Sequence, residues 1–140
     1  MYLLDTNVIS ELRKGKSGKA NQNVIKWASH TASTSLYISV MTVLELEMEI
    51  LAKERKDTHQ GAILRAWLDN HVMPAFAERI LPIDTEVAQH CAKLHIPNPR
   101  SDRDALIAAT ALAHGMALIT RNVSDFDNIN VEMINPWSKP

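Results

Sequence analysis

Short apolar runs that end in a polar residue alternate along this chain with longer segments whose apolar residues recur every three or four positions. Tyr2-Leu3-Leu4 reads as a first strand ending at Asp5, with Thr6 or Asn7 placed to cap a helix carrying Val8, Ile9 and Leu12. Gly15 and Gly18 break that helix, and a second one carries Val24, Ile25 and Trp27. Leu36-Tyr37-Ile38-Ser39 is a second strand. It leads into a helix capped by Thr42 and running to about Arg55, with Leu44, Met48 and Leu51 predicted on its buried face. The next helix is predicted from near Thr58 to the Pro74 region, burying Ile63, Leu64, Trp67 and Leu68. Ile80-Leu81-Pro82-Ile83 is a third strand, and Asp84 or Thr85 caps the helix of Val87, Cys91 and Leu94. Proline restricts Ile96-Pro97-Asn98-Pro99 to a loop. Ser101 opens a helix whose run from Ala105 to Ala113 is apolar on nearly every side, so it is expected to be central and buried, and Gly115 ends it. Ala117-Leu118-Ile119-Thr120 and Val131-Glu132-Met133-Ile134 are a fourth and a fifth strand. This alternation predicts an α/β sandwich around a central, mostly parallel sheet.

At 140 residues the chain is long enough for one domain, spanning 1–140, with a core of its own. A content of 46% hydrophobic and 22% charged residues excludes a disordered or low-complexity protein. The net charge of -1 excludes a protein that coats nucleic acid indiscriminately, so any such binding must be local. One local basic segment exists: Arg13, Lys14, Lys16, Lys19 and Lys26 have no acid between them, and they form either a track for RNA phosphates or a solvated face. The single cysteine, Cys91, allows no internal disulfide and reads as a core residue of a protein in a reducing compartment. No basic segment leads an apolar one at the start of the chain, and no stretch offers the ~20 apolar residues of a spanning helix. A cytoplasmic protein with no membrane partner is expected. The six histidines lack zinc-site spacing, and no phosphate-cradling glycine motif is present.

The acids are more informative. Asp5 follows strand one, Glu45 lies in the helix after strand two, Asp104 sits in the first turn of the apolar helix, and Asn122 and Asp125 follow strand four. An open parallel sheet brings all these positions to the edge formed by the carboxyl ends of its strands, where such folds place their sites. Taken singly, each has a local alternative: Thr42 to Glu45 and Ser101 to Asp104 fit the capping-box spacing, and Asp5 and Asp125 could serve their own turns. Taken together, they repel. Two carboxylates ~5 Å apart at an effective dielectric of about 20 repel by roughly 3 kcal/mol, so three mutual neighbours need a cation or a proton. Oxygen donors without Cys or His favour Mg²⁺ or Mn²⁺. Water on such an ion can attack a phosphodiester, which is nuclease chemistry.

Four segments carry a family resemblance: Leu3-Leu4-Asp5-Thr6-Asn7; Ser39-Val40-Met41-Thr42-Val43-Leu44-Glu45-Leu46; Asp104-Ala105-Leu106-Ile107-Ala108-Ala109-Thr110-Ala111; and Thr120-Arg121-Asn122-Val123-Ser124-Asp125-Phe126 with Ile134-Asn135-Pro136-Trp137. In order and spacing the chain resembles PIN-domain proteins of the VapC/FitB type. The resemblance implies a PIN-like α/β/α sandwich and a Mg²⁺- or Mn²⁺-dependent ribonuclease. Such a protein is the toxin of a type II toxin–antitoxin pair, a homodimer silenced by a small antitoxin encoded nearby. It also implies metal-ligand and catalytic roles for Asp5, Glu45 and Asp104, with Thr6 or Asn7 supporting them.

One position departs from the family pattern. Many PIN sequences have Asp where this chain has Asn122, so the fourth acid is absent or comes from Asp125. Arg100, Arg103 and Arg121 lie beside the acids in sequence, and Arg121 is the candidate for holding a substrate phosphate. Two rival readings remain. A dehalogenase-like phosphatase needs a second acid two residues after the first, where this chain has Asn7. A catalytically silent PIN protein that only binds RNA or a protein partner is suggested by Asn122, and chelation-sensitive cleavage separates it from an active nuclease.

Overall fold

Leu3 and Leu4 are neighbours in β1 (Tyr2–Leu4) and both are fully buried, which a strand permits only when both faces of its sheet are covered. The structure, a computed structural model, describes residues 1–139. Its sheet has the order β3-β2-β1-β4-β5, with β2 at Leu36–Ser39, β3 at Ile80–Leu81, β4 at Ala117–Ile119 and β5 at Met133–Ile134. Every pairing is parallel. On one face Leu4, Ile38 and Ile119 pack with Val8, Leu46, Ile50 and Leu68, and on the other Leu3 and Leu118 pack with Ile107, Ala108 and Phe126. The expected three-layer α/β/α sandwich is the one observed.

The helices are α1 (Thr6–Arg13), α2 (Gln22–Ser29), α3 (Val40–Lys56), α4 (Thr58–Trp67), α5 (Met73–Ala75), α6 (Thr85–Leu94) and α7 (Asp102–His114). The carboxylate of Asp84 caps α6 through the Val87 amide, and Gly115 closes α7 at φ 63°, a conformation a side chain disfavours. Small residues let α7 pack closely on both sides: Ile107, Ala108 and Ala111 are buried against Leu3 and Leu118 of the sheet, and Ala105 and Ala109 against Val87 and Cys91 of α6. Cys91 packs beside Val87 and Ala105, and burial, with Asp102 nearby, pushes its thiol pKa up, so it stays protonated. Among the described residues no helix is long and apolar enough to cross a membrane.

Several local expectations are corrected. Asp5, rather than Thr6 or Asn7, caps α1, and Ser39, rather than Thr42, caps α3 by accepting from the Met41 amide at 3.0 Å. With α3 starting at Val40, its inward residues are Met41, Thr42, Leu46 and Ile50, while Leu44, Met48 and Leu51 lie exposed. Apolar residues occupy both sides of α3, so spacing alone could not choose the buried one. Ile63 is also half exposed, and the helix predicted through Pro74 is interrupted by a π-turn at Leu68–Val72. Pro74 has no amide hydrogen to continue the ladder, and its ring crowds the carbonyl four residues back. Pro82 cuts β3 to two residues for the same lack of a donor, and β5 is shorter than the predicted run.

Gly61 is buried where α4 crosses α3, and a Cβ there would overlap the backbone and side chain of Glu54. Gly61→Ala is therefore expected to cost about 1–3 kcal/mol of stability despite the better helix propensity of alanine. Thermal melts check this, and an unchanged or higher Tm would refute the close approach.

Candidate active site

Parallel pairing of β1 with β4 aligns Leu4 with Ile119, so the next residues, Asp5 and Thr120, leave the sheet side by side. The Asp5 amide donates to the Ile119 carbonyl at 2.9 Å, which holds the pair in register one step beyond the strands. Asp5 is 6% exposed. Its Oδ1 accepts from the Thr6 amide at 2.8 Å, and its Oδ2 accepts from the Thr120 hydroxyl at 2.8 Å and from Asn7 Nδ2 at 3.3 Å. Asn7 also accepts from the Arg121 amide at 3.3 Å, and the Thr120 hydroxyl oxygen accepts from the Asn122 amide at 3.1 Å. Thr120 is thus a positioning residue to which the sequence reading gave no role. Its signal was a polar residue ending a strand, legible only once β4 is known to lie beside β1.

Glu45 reaches the same edge from α3. The Thr6 hydroxyl donates to its Oε1 at 2.7 Å and lies 3.1 Å from the Thr42 hydroxyl, while Arg103 stands 3.7 Å from Oε2. Neither capping box forms. Ser39 caps α3, which leaves Glu45 beyond the first turn, and the Ser101 side chain makes no cap bond at the start of α7. Local helix capping therefore does not account for Glu45 or Asp104. Asn122 precedes a 3₁₀ turn at Val123–Phe126 without a side-chain cap bond, and the Asp125 amide donates to the Asn122 carbonyl at 3.0 Å. Asn122 itself lies outside the helical turn, at φ -95° and ψ 59°, so the turn does not by itself bring its side chain and that of Asp125 to one side.

The electrostatics record the convergence. Burial is the main cause that raises the Asp5 pKa; bonds from Thr120 and Thr6 oppose it, and repulsion from Glu45 and Asp104 adds to it. Asp104 is raised by burial first, then by Asp125 and Glu45, against the lowering influence of Arg103. Asp5, Glu45, Asp104 and Asn122 line one open cleft of about 420 Å³, together with Lys14, Arg121 and Trp137. The Arg121 guanidinium lies 5.4 Å from the Trp137 ring centre, where the aromatic face can hold it. Arg100 is elsewhere, donating to the carbonyls of Leu94 and Asp127. Among the described residues no group of three or more His, Cys, Asp or Glu side chains is placed to hold a metal ion as the side chains stand. The donors still suit a hard cation: all are oxygens, and Mg²⁺ keeps several waters while binding through one or two carboxylates.

A family model described as PIN domain matches residues 2–131. The chain belongs to the PIN-domain family. It is 37% identical over 142 residues to VapC ribonuclease Y4jK of Sinorhizobium fredii, with 98% of each chain covered. It is 34% identical to Toxin FitB of Neisseria gonorrhoeae, covering 98% of this chain and 99% of that one. The crystal structure of FitAcB from Neisseria gonorrhoeae superposes with a TM-score of 0.88 at 32% identity, covering 99% of this chain and 100% of that one. The PIN cleft therefore carries mutually repelling carboxylates, Asp5 buried and Glu45 and Asp104 half-buried, on a fold shared with a toxin.

Because folding raises the Asp104 pKa, the folded state binds its proton more tightly than the unfolded chain does. The stability this contributes is complete below the ordinary carboxylate value of 3.8 and is lost as pH rises through the folded value. In a chelator-containing buffer Asp104→Asn should melt close to the parent near pH 4 and above it at pH 7. A Tm difference that stays flat across that range would refute the uncompensated charge.

Proposed function

We propose that this PIN domain is a Mg²⁺- or Mn²⁺-dependent endoribonuclease and the toxin of a type II toxin–antitoxin pair. The observation that carries this reading is the convergence of Asp5, Glu45 and Asp104 on one open cleft, with local capping unable to account for Glu45 and Asp104. A divalent ion, when bound, supplies positive charge against the oxygens of a phosphodiester and makes an attacking water more acidic. Asp5, Glu45 and Asp104 would hold it. Thr6 and Asn7 act through them: Thr6 bridges the Asp5 carboxylate to Glu45, and Asn7 holds Asp5 from the side. Arg121, braced on Trp137, faces the cleft and holds a substrate phosphate. Asp125 supplies the charge that Asn122 lacks, which favours the active nuclease over a silent binding protein.

The partners follow from the same reading. The VapC relative is named a ribonuclease and FitB a toxin, and a solved structure that shares this fold is a toxin–antitoxin complex from Klebsiella pneumoniae. The exposed stripe of Leu44, Met48 and Leu51 on α3 offers apolar ground for a second copy or another chain. The assignment is a homodimer in the cytoplasm, neutralised by a small antitoxin whose gene lies nearby.

Purified protein should cleave RNA only with Mg²⁺ or Mn²⁺ and melt higher in their presence, with the Tm rise weakened in Asp104→Asn. Induction without a partner should arrest bacterial growth, and Asp5→Asn should abolish the arrest; equal toxicity of that variant would refute the mechanism. Co-expressing an adjacent small gene should relieve the arrest, and persistent toxicity with every such neighbour would count against the antitoxin. The fourth acid has its own test. Asp125→Asn should lower cleavage at least about tenfold, roughly 1.4 kcal/mol on the barrier, and Asn122→Ala should cost less. Full activity of Asp125→Asn at saturating metal would reduce Asp125 to a turn residue.

A further inference from the structure

A second hollow, of about 560 Å³, opens between α2 and the segment that follows β5. Its walls include Lys26, Trp27, His30, Ile134, Pro136 and Lys139. We propose that it is a second nucleotide subsite, taking an unstacked base of single-stranded RNA with a neighbouring phosphate on Lys26 and Lys139. This inference rests on the ribonuclease reading of the carboxylate cleft and extends its substrate contact beyond the reacting bond.

Three observations converge on a nucleotide as the occupant. The first is continuity with the cleft. Trp137 lines the cleft, while Ile134, Asn135, Pro136 and Ser138 of the same segment line the hollow, so the two are separated by one short stretch of chain. That partition is fixed in place. Asn23 Nδ2 donates to the Trp137 carbonyl at 2.8 Å, and the Trp137 amide donates to Asn135 Oδ1 at 3.0 Å. A strand leaving the cleft past Trp137 arrives at this hollow.

The second observation is charge. Among the described residues no Asp or Glu lines the hollow, whereas the rim carries the exposed Lys26, Lys139 and His30. In a chain of net charge -1 this is local positive ground, and it lies next to a cleft lined by Asp5, Glu11, Glu45, Glu49 and Asp104. A polyanion entering that cleft is repelled by its acids and needs cationic anchors outside them.

The third is the available aromatic surface. Arg13 sits over the ring of Trp67 at 5.9 Å and Arg121 over that of Trp137 at 5.4 Å. Trp27 has no guanidinium over it among the described residues, and its contact with Tyr2 is edge-on, at 5.5 Å and 83°. Its orientation is thus set before any ligand arrives. Bases of single-stranded RNA stack on such a side chain with little regard to sequence.

The test uses the full chain carrying Asp5→Asn, which keeps RNA uncut, with fluorescein-labelled random octaribonucleotides and random triribonucleotides as probes in anisotropy titrations. Adding Lys26→Glu and Lys139→Glu should weaken octamer binding at least tenfold and flatten its salt dependence by about one unit of slope, since each phosphate contact contributes ~0.7 on a single strand. Trimer binding should change less than twofold. A 4-thiouridine octamer should cross-link to the peptide that contains Trp27. Octamer binding that ignores the lysine reversals, or a cross-link confined to the cleft, would overturn the subsite while leaving the nuclease reading intact; a hollow that holds a protein segment instead would give that result. No octamer binding by the Asp5→Asn protein, together with no RNA cleavage by the parent, would overturn both.

Discussion

The carboxylate of Asp5 is 6% exposed, and its hydrogen bonds come from neutral donors: the Thr6 amide, the Thr120 hydroxyl and the Asn7 side-chain amide. A buried charge held this way is oriented without being neutralised. The arrangement depends on β1 and β4 being parallel neighbours, because only then do Asp5 and Thr120 emerge together at the end of their strands. The rest of the cleft is arranged around this pair. Thr6, the first residue of α1, connects Asp5 to Glu45, and Asn7 connects it to the backbone of Arg121.

Around that anchor the fold accepts repulsion. Asp104 feels Asp125 and Glu45, and Asp5 feels Glu45 and Asp104, while the nearest opposing guanidinium, Arg103, stands 3.7 Å from Glu45 with about half its side chain exposed. A design aimed at stability alone would remove one of these acids or pair each with a cation. A protein can retain such a cluster when the rest of the domain compensates. Here the compensation is a sheet buried on both faces, with Leu3, Leu4, Ile38, Leu118 and Ile119 all fully enclosed.

Charge is segregated rather than abundant. The acids occupy the cleft, and Lys14, Arg121, Lys26 and Lys139 lie at its rim or in the adjoining hollow. On the proposed reading a substrate polyanion would be held beside the acids without a strongly basic protein. Net charge is silent about such a local arrangement, because it sums over patches of opposite sign.

Much of this was legible in the sequence. Alternation of short apolar runs with helical spacing is a local property, and it marked the strands, the loop at Ile96–Pro99 and the buried α7. The acids at strand and helix ends were legible because a parallel sheet sends all such positions to one edge. Three other matters were decided by tertiary structure. Which side of α3 is buried depended on what packs against it, since apolar residues lie on both sides and Thr42 turns inward toward Thr6. Whether Glu45 caps its helix depended on where α3 begins, and Ser39 set that start earlier in the chain; α7 begins after Ser101 as expected, yet the Ser101 side chain makes no cap bond there. The bond from Thr120 to Asp5 joins residues 115 positions apart. It exists because β4 pairs with β1, and backbone hydrogen bonds between strands are made by groups that every residue carries, so the side chains alone do not state which strands are neighbours.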